Sequence, residues 1–169
     1  MTEPVHPDAM HPDAMHRDAM HPDAAASPRE VIEGLLRATV EGRRDETVDF
    51  YAADAVIEMP FAPPGMPASS QGRENLRSRM KAAEGLWEFS AVDHVHLHPT
   101  ADPEVIVAEY RIHGRVTATG RQFAFSYIMV SRIRDGQIVY SRDYFNPLDS
   151  AAALGRAPEL LASVLGQTS

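Results

Sequence analysis

Two segments in the second half of the chain alternate apolar and polar residues with a period of two, and they limit the fold more than any other feature. Residues 122–134 place Phe123, Phe125, Tyr127, Met129 and Ile133 on one side. Asp135-Gly136 follows, a pair suited to a two-residue hairpin turn because both positions tolerate positive φ. Residues 137–145 then read as the return strand, ended by Asn146-Pro147. Residues 105–119 are rich in β-branched side chains and residues 88–98 alternate again. Within the latter, Phe89, Ala91, Val95 and Leu97 are expected on one face and His94, His96 and His98 on the other. Such a run of strands joined by short turns predicts an antiparallel sheet with one buried face.

The first half has a different period. Ser27-Pro28-Arg29-Glu30 carries the signals of a helix start: a capping hydroxyl, proline at the first helical position and an acceptor for a capping box. Val31, Ile32, Leu35, Leu36, Thr39 and Val40 then share one helical face. A short helix is predicted from Asp45 toward Tyr51, a short strand over 55–59, and a rigid loop through Pro60, Pro63, Pro64, Gly65 and Pro67. Residues 72–83 have helical composition, and a helical C-terminal segment is predicted to break near Gly155 and Pro158. Helices followed by a block of strands give an α+β domain over residues 27–169. A strongly curved sheet wrapped around the helices would leave one closed-ended pocket for a small ligand.

Residues 1–26 are set apart. His6-Pro7-Asp8-Ala9-Met10 recurs from His11 and His21, and from His16 with Arg17 in place of proline. Proline at nearly every fifth position excludes a continuous helix. Repeated imidazoles can gather a metal ion loosely, but the composition is that of a solvated, disordered extension. The chain's start has no apolar block of the signal-peptide kind, and no apolar run approaches the ~18 residues of a membrane span. The absence of cysteine excludes disulfides, thiolate zinc sites and cysteine nucleophiles. A reducing cytoplasm fits. A formal charge of −8 without a basic stripe argues against nucleic-acid binding.

The candidate chemistry lies in ionisable side chains placed within apolar strands. Glu109, Arg111 and His113 share a face by the two-residue period, and Asp143 shares one with Val139, Ser141 and Phe145. A carboxylate in a half-apolar cavity has its pKa raised unless a guanidinium or imidazolium holds it ionised. Asp143, His113 and Arg111 around one pocket would make a working proton-transfer set. The alternative is that such strand charges are solvated or paired on the outer face. The stripe His94, His96, His98 allows a metal reading, but it opposes the apolar face and so points at water. Glu58, Tyr51, Tyr127, Glu109 and Trp87 are the remaining candidate substrate-binding positions. No Gly-rich phosphate loop and no serine elbow is present.

The succession of helices, proline loop, Trp87-led strand and three long strands ending in Arg142-Asp143-Tyr144-Phe145-Asn146-Pro147 resembles the SnoaL-like superfamily, over about residues 29–155. That group shares its cone-shaped α+β fold, a mostly antiparallel mixed sheet of the cystatin-like barrel kind, with ketosteroid isomerase. The resemblance implies a pocket between sheet and helices, no cofactor and no metal. It also implies a homodimer and acid–base chemistry on a small hydrophobic natural-product intermediate: cyclisation, isomerisation or epoxide opening. Glu58-Met59-Pro60 resembles an Asn-Met-Pro stretch of limonene epoxide hydrolase. Arg111-Ile112-His113 resembles that enzyme's Arg-Val-Asp trio, with histidine in place of a catalytic aspartate. Residues 87–154 resemble the phenazine-biosynthesis condensing proteins, with Arg79 where those carry a histidine. All of these comparisons, and that with the SnoaL polyketide cyclases, imply chemistry at Asp143. A non-catalytic binding protein and a protein–protein role of the outer sheet face remain as rival readings.

Overall fold

A computed structural model describes residues 25–166. The repeat expected to be a disordered extension falls outside the described residues, apart from its last two positions. Helix α1, Pro28–Val40, opens with the capping box read from the sequence: the Ser27 hydroxyl accepts from the Glu30 amide, and the Glu30 carboxylate accepts from the Ser27 backbone at 2.8 Å. Its inner face is Val31, Ile32, Leu35 and Leu36, all buried. Removing a side chain of that size from water stabilises by roughly 1.5–3 kcal/mol.

Helix α2, Arg44–Asp49, leads directly into β1, Tyr51–Glu58. This strand begins four residues earlier than the sequence predicts, because Tyr51 and Ala52 are buried and already belong to the sheet. Beyond the proline loop come β2, Ser69–Gln71, which the sequence gives no sign of, and α3, Arg73–Ala82. Strands β3 (Trp87–Pro99), β4 (Val105–Val116), β5 (Gln122–Arg134) and β6 (Gln137–Phe145) complete one six-stranded sheet in the order β2-β1-β6-β5-β4-β3. Asp135 and Gly136 both have positive φ, as the predicted hairpin turn requires. Helices α4 (Pro147–Ala153) and α5 (Ala157–Val164) close the described chain, separated near Gly155.

All pairings are antiparallel except β1 with β6, which is parallel. The sheet is mixed and open. Among the described residues β2 and β3 are its two edge strands, each paired on one side only, so the expected barrel does not close. Helices α1 to α3 pack on its inner face, around a core that includes Ile32, Ile57, Ala108, Met129 and Ile138. Gly114 permits a close approach at one end. A Cβ there would lie 2.6 Å from Phe123 Cζ and against the Glu88 carbonyl. No helix of the described residues is long and apolar enough to cross a membrane.

Candidate active site

Strand register decides which polar side chains meet. On β4 the even-numbered residues Ile106, Ala108 and Ile112 are buried, so Glu109, Arg111 and His113 project from the outer face. On β6, Asp143 pairs with buried Met129, and Ser141 pairs with buried Ser131, so Asp143 points inward. The set expected around one pocket is therefore divided by the sheet itself, and this corrects its placement. Arg111 forms a two-pronged ion pair with Asp93 of β3, Nε to Oδ1 at 3.0 Å and Nη2 to Oδ2 at 3.2 Å. His113 Nε2 lies 2.9 Å from Asp93 Oδ2, out of line for a hydrogen bond. Arg111 first, with His113 assisting, holds the Asp93 carboxyl down to about 2, against the cost of its partial burial.

Glu58 and Glu109 are also on the outer face. Glu58 accepts from the Tyr140 hydroxyl at 2.6 Å and from Arg142 Nε at 3.0 Å, and both keep it below the usual carboxylate range. Glu109 lies 3.1 Å from His98 Nε2. The histidine stripe does not follow strict alternation. Two bulges interrupt β3, and His94 sits at positive φ, so Trp87, Phe89, Val92 and Leu97 oppose inward-facing residues of β4 while Asp93, His96 and His98 oppose outward-facing ones. Ala91 and Val95 leave the face predicted for them. Among the described residues no three ligating side chains gather to hold a metal.

What remains inside is more compact. A chamber of about 280 Å³ lies between the sheet and helices α1 to α3, walled mainly by Leu35, Leu36, Leu76, Ile112 and Met129. Its polar groups are Asp143, Tyr51, Tyr110, Tyr127, Thr39 and Thr47. Asp143 Oδ1 is shielded from solvent and has no hydrogen-bond partner. Burial raises its carboxyl to about 6, opposed by the neighbouring Ser141 hydroxyl and by the positive charge of Arg79. Ser141 Oγ has no partner in ordinary hydrogen-bond geometry, so its help to Asp143 is weak. Arg79 reaches over from α3, where it donates to Ser70 Oγ at 3.0 Å and to Met59 Sδ at 3.4 Å.

The three tyrosines answer Asp143. Burial and then the Asp143 charge push the hydroxyls of Tyr51 and Tyr110 well above the ordinary phenol range, and that of Tyr127 up to about 12. Each remains a donor at any pH near neutrality. Tyr110 and Tyr127 stack with ring centroids 5.3 Å apart, which fixes both rings on the chamber wall. The structure thus brings Asp143, Tyr51 and Tyr127 together, and adds Tyr110 and Arg79, which sequence reasoning did not place in the site. The signal for Tyr110 was present, since it alternates with Ile112. A tyrosine next to a charged trio attracts less attention than the trio. Trp87 lines an adjoining cavity rather than the chamber.

A larger depression of about 730 Å³ lies on the outer face beside Arg111, Ile128 and Tyr144. It is an open groove, and Arg111 on its wall is already paired with Asp93. The inner chamber, lined by a residue with a shielded, unpartnered carboxylate oxygen, is the stronger candidate.

Known proteins give the same outline. An uncharacterised PhzA/B-like protein of Pseudomonas aeruginosa is 35% identical over 127 residues, 75% of this chain and 89% of its own. A Bacillus subtilis crystal structure, provisionally named an isomerase, superposes with a TM-score of 0.72 at 30% identity, covering 76% of this chain and 92% of that one. An LEH-like epoxide hydrolase of M. tuberculosis shares the fold at 22% identity, with a TM-score of 0.55 over 80% of this chain and 93% of its own. Provisionally named polyketide cyclases are among the other neighbours in fold. The family model for the SnoaL-like domain matches residues 32–141, and the chain belongs to that family.

Proposed function

We propose that this protein is an acid–base isomerase or cyclase acting on a small, largely apolar carbonyl intermediate of natural-product biosynthesis, with Asp143 moving the proton. The observation that carries this reading is the shielded, unpartnered carboxylate oxygen of a residue lining the inner chamber. A carboxyl titrating near 6 is ionised at neutral pH yet basic enough to accept a proton from carbon, the compromise that general-base catalysis favours. Asp143 takes the proton from a carbon next to the substrate carbonyl, and the C–H electron pair passes into the enolate. The tyrosine hydroxyls donate to the developing oxyanion in surroundings where each hydrogen bond is worth more than in water. The proton then returns to a different carbon, giving an isomer. Alternatively the enolate carbon attacks a second carbonyl, a ring closes, and the new alkoxide takes the proton.

Arg111 and His113 have no part in these steps, because they lie beyond the sheet. Asp143 is the one carboxylate among the residues lining the chamber. Epoxide hydrolysis, which would ask for a second carboxylate to activate water, is therefore less well supported. The outer face carries Phe61 and Ile128, 59% and 45% exposed beside the open groove, and we assign it to pairing with a second copy of the chain.

A β,γ-unsaturated ketone such as 3-cyclohexenone tests the chemistry, because conversion to the conjugated enone is followed by absorbance. The expected outcome is turnover by the intact protein and a loss of about 10²–10⁴-fold in Asp143→Asn. Equal turnover by the variant removes Asp143 from the mechanism. Binding without turnover across a panel of such ketones places the protein among ligand carriers.

A further inference from the structure

A second cavity, of about 320 Å³, adjoins the chamber. It lies between the end of α1, the start of α2, the end of α3 and the first residues of β3. Thr39, Thr47, Met80 and Phe89 line both spaces, so the two meet across these four side chains. The outer space has an aromatic side. Trp87 lies edge-on to Phe123 and to Phe125, each at 6.1 Å between centroids, and those two rings are stacked at 4.2 Å. Its rim carries three charges, and each is already answered. Glu41 accepts from Arg43 Nε at 2.7 Å, Arg44 donates to Glu84 at 2.8 Å, and Glu88 accepts from Arg115 at 2.7 Å.

We infer that chamber and outer cavity form a single two-part channel, and that its ligand is an elongated, uncharged molecule. The carbonyl end lies at Asp143, and the apolar remainder runs past Met80 to rest against Trp87. The chamber alone falls just under the roughly 300–1,000 Å³ of small-molecule sites, whereas the two spaces together fall well inside that range. A rim whose charges cancel in pairs offers no excess cation to a phosphate or carboxylate, and an anionic tail would lose hydration there without compensation. The ligand is accordingly a free neutral compound and not one carried on a phosphate-bearing arm. Met80 at the junction and Trp87 beyond it set the length accepted. This inference rests on the chamber being the reactive site, as proposed above, but not on any turnover there.

The test uses the full chain and 2-alkanones of increasing length, with ω-carboxylate analogues of matching length. Trp87 is the single tryptophan of the sequence, so its emission reports on the outer space without labelling. Affinity measured by calorimetry should rise with chain length. Emission should stay constant for the shortest ketones and shift once the chain passes Met80. The ω-carboxylates should bind at least ten times more weakly than the long neutral ketones. Met80→Trp, which fills the junction, should abolish the gain with length, and Trp87→Phe should retain most of it. Affinity independent of length, emission unmoved by the longest ketone, or equal binding of the carboxylates overturns the inference. Asp143→Asn separates the two proposals. A length series preserved in a variant without isomerase activity supports both, and the same series in a wild-type protein without turnover leaves the channel standing while the acid–base reading falls.

Discussion

Asp143 couples the stability of the protein to pH as well as carrying the proposed chemistry. In the folded chain it keeps its proton up to about pH 6, against an ordinary value of 3.8. Between these values the folded state binds more protons than the unfolded one, so stability must fall as pH rises through that window. The full penalty, about 3 kcal/mol for a shift of this size, persists above pH 6. Asp143→Asn should therefore be inactive yet more stable than the parent at pH 7, and denaturant titrations at pH 4 and pH 7 should show the pH-dependent loss reduced. Activity should rise with pH through about 6 as the carboxylate forms. The charge of Arg79 lowers the Asp143 value, so Arg79→Met should move that rise to higher pH. An unmoved pH profile would show that Arg79 only braces β2. Tyr51→Phe and Tyr127→Phe, each deleting a donor to the oxyanion, should lower kcat by about 10²-fold or more with smaller changes in KM. The sequence made Asp143, Tyr51 and Tyr127 visible as polar groups among apolar neighbours. It misassigned Arg111 and His113 because the two-residue period tells which side chains share a face and not which face is inner. On β4 both faces carry apolar residues, Val105 and Val107 on one and Ile106 and Ala108 on the other, so composition gave no vote.

At the level of elements, the boundaries of β5 and β6 and the turn between them follow directly from alternation and from Asp135-Gly136. Strand β3 resisted because its two bulges each shift the alternation, and a bulge leaves no signature in side-chain pattern alone. A bulge on β6 has a similar effect, so that Ile138, and not Val139, takes the buried position. Strand β2 was invisible because three exposed or half-exposed residues, Ser69 to Gln71, have no apolar pattern to read. The close approach at Gly114 gives a sharper expectation. Phe89 and Phe123 meet edge to face at 6.1 Å on either side of it, and to admit a methyl group the β3 backbone at the Glu88 carbonyl and the Phe123 ring would both have to shift. Gly114→Ala should cost on the order of 2–3 kcal/mol, read as a lower midpoint in thermal unfolding. An unchanged midpoint would mean that the Glu88 carbonyl and the Phe123 ring both yield without cost.

For the whole molecule, the proposed pairing of two copies through the outer sheet face makes a clean prediction. Ile128→Glu places a charge in the middle of the apolar part of that face without touching the chamber, since Ile128 points away from it. Sedimentation should show the parent as a dimer and the variant as a monomer, both still binding ketones. A parent protein that sediments as a monomer ends the proposal. The α+β class, the helix-then-strand order and the likeness to the SnoaL-like family were all readable from the sequence. The parallel pairing of β1 with β6 was not, because local periodicity carries no information about which distant strand a segment will join. That pairing has a consequence for how the protein is made. Tyr51 lies beside Ile138, and Glu58 beside Arg142, so the first long strand must wait for its neighbour until β2 to β5 have been made. Until then α1 and β1 lack the Ile138 side of their shared core, and the nascent chain stays open to proteases and chaperones throughout the making of the intervening strands.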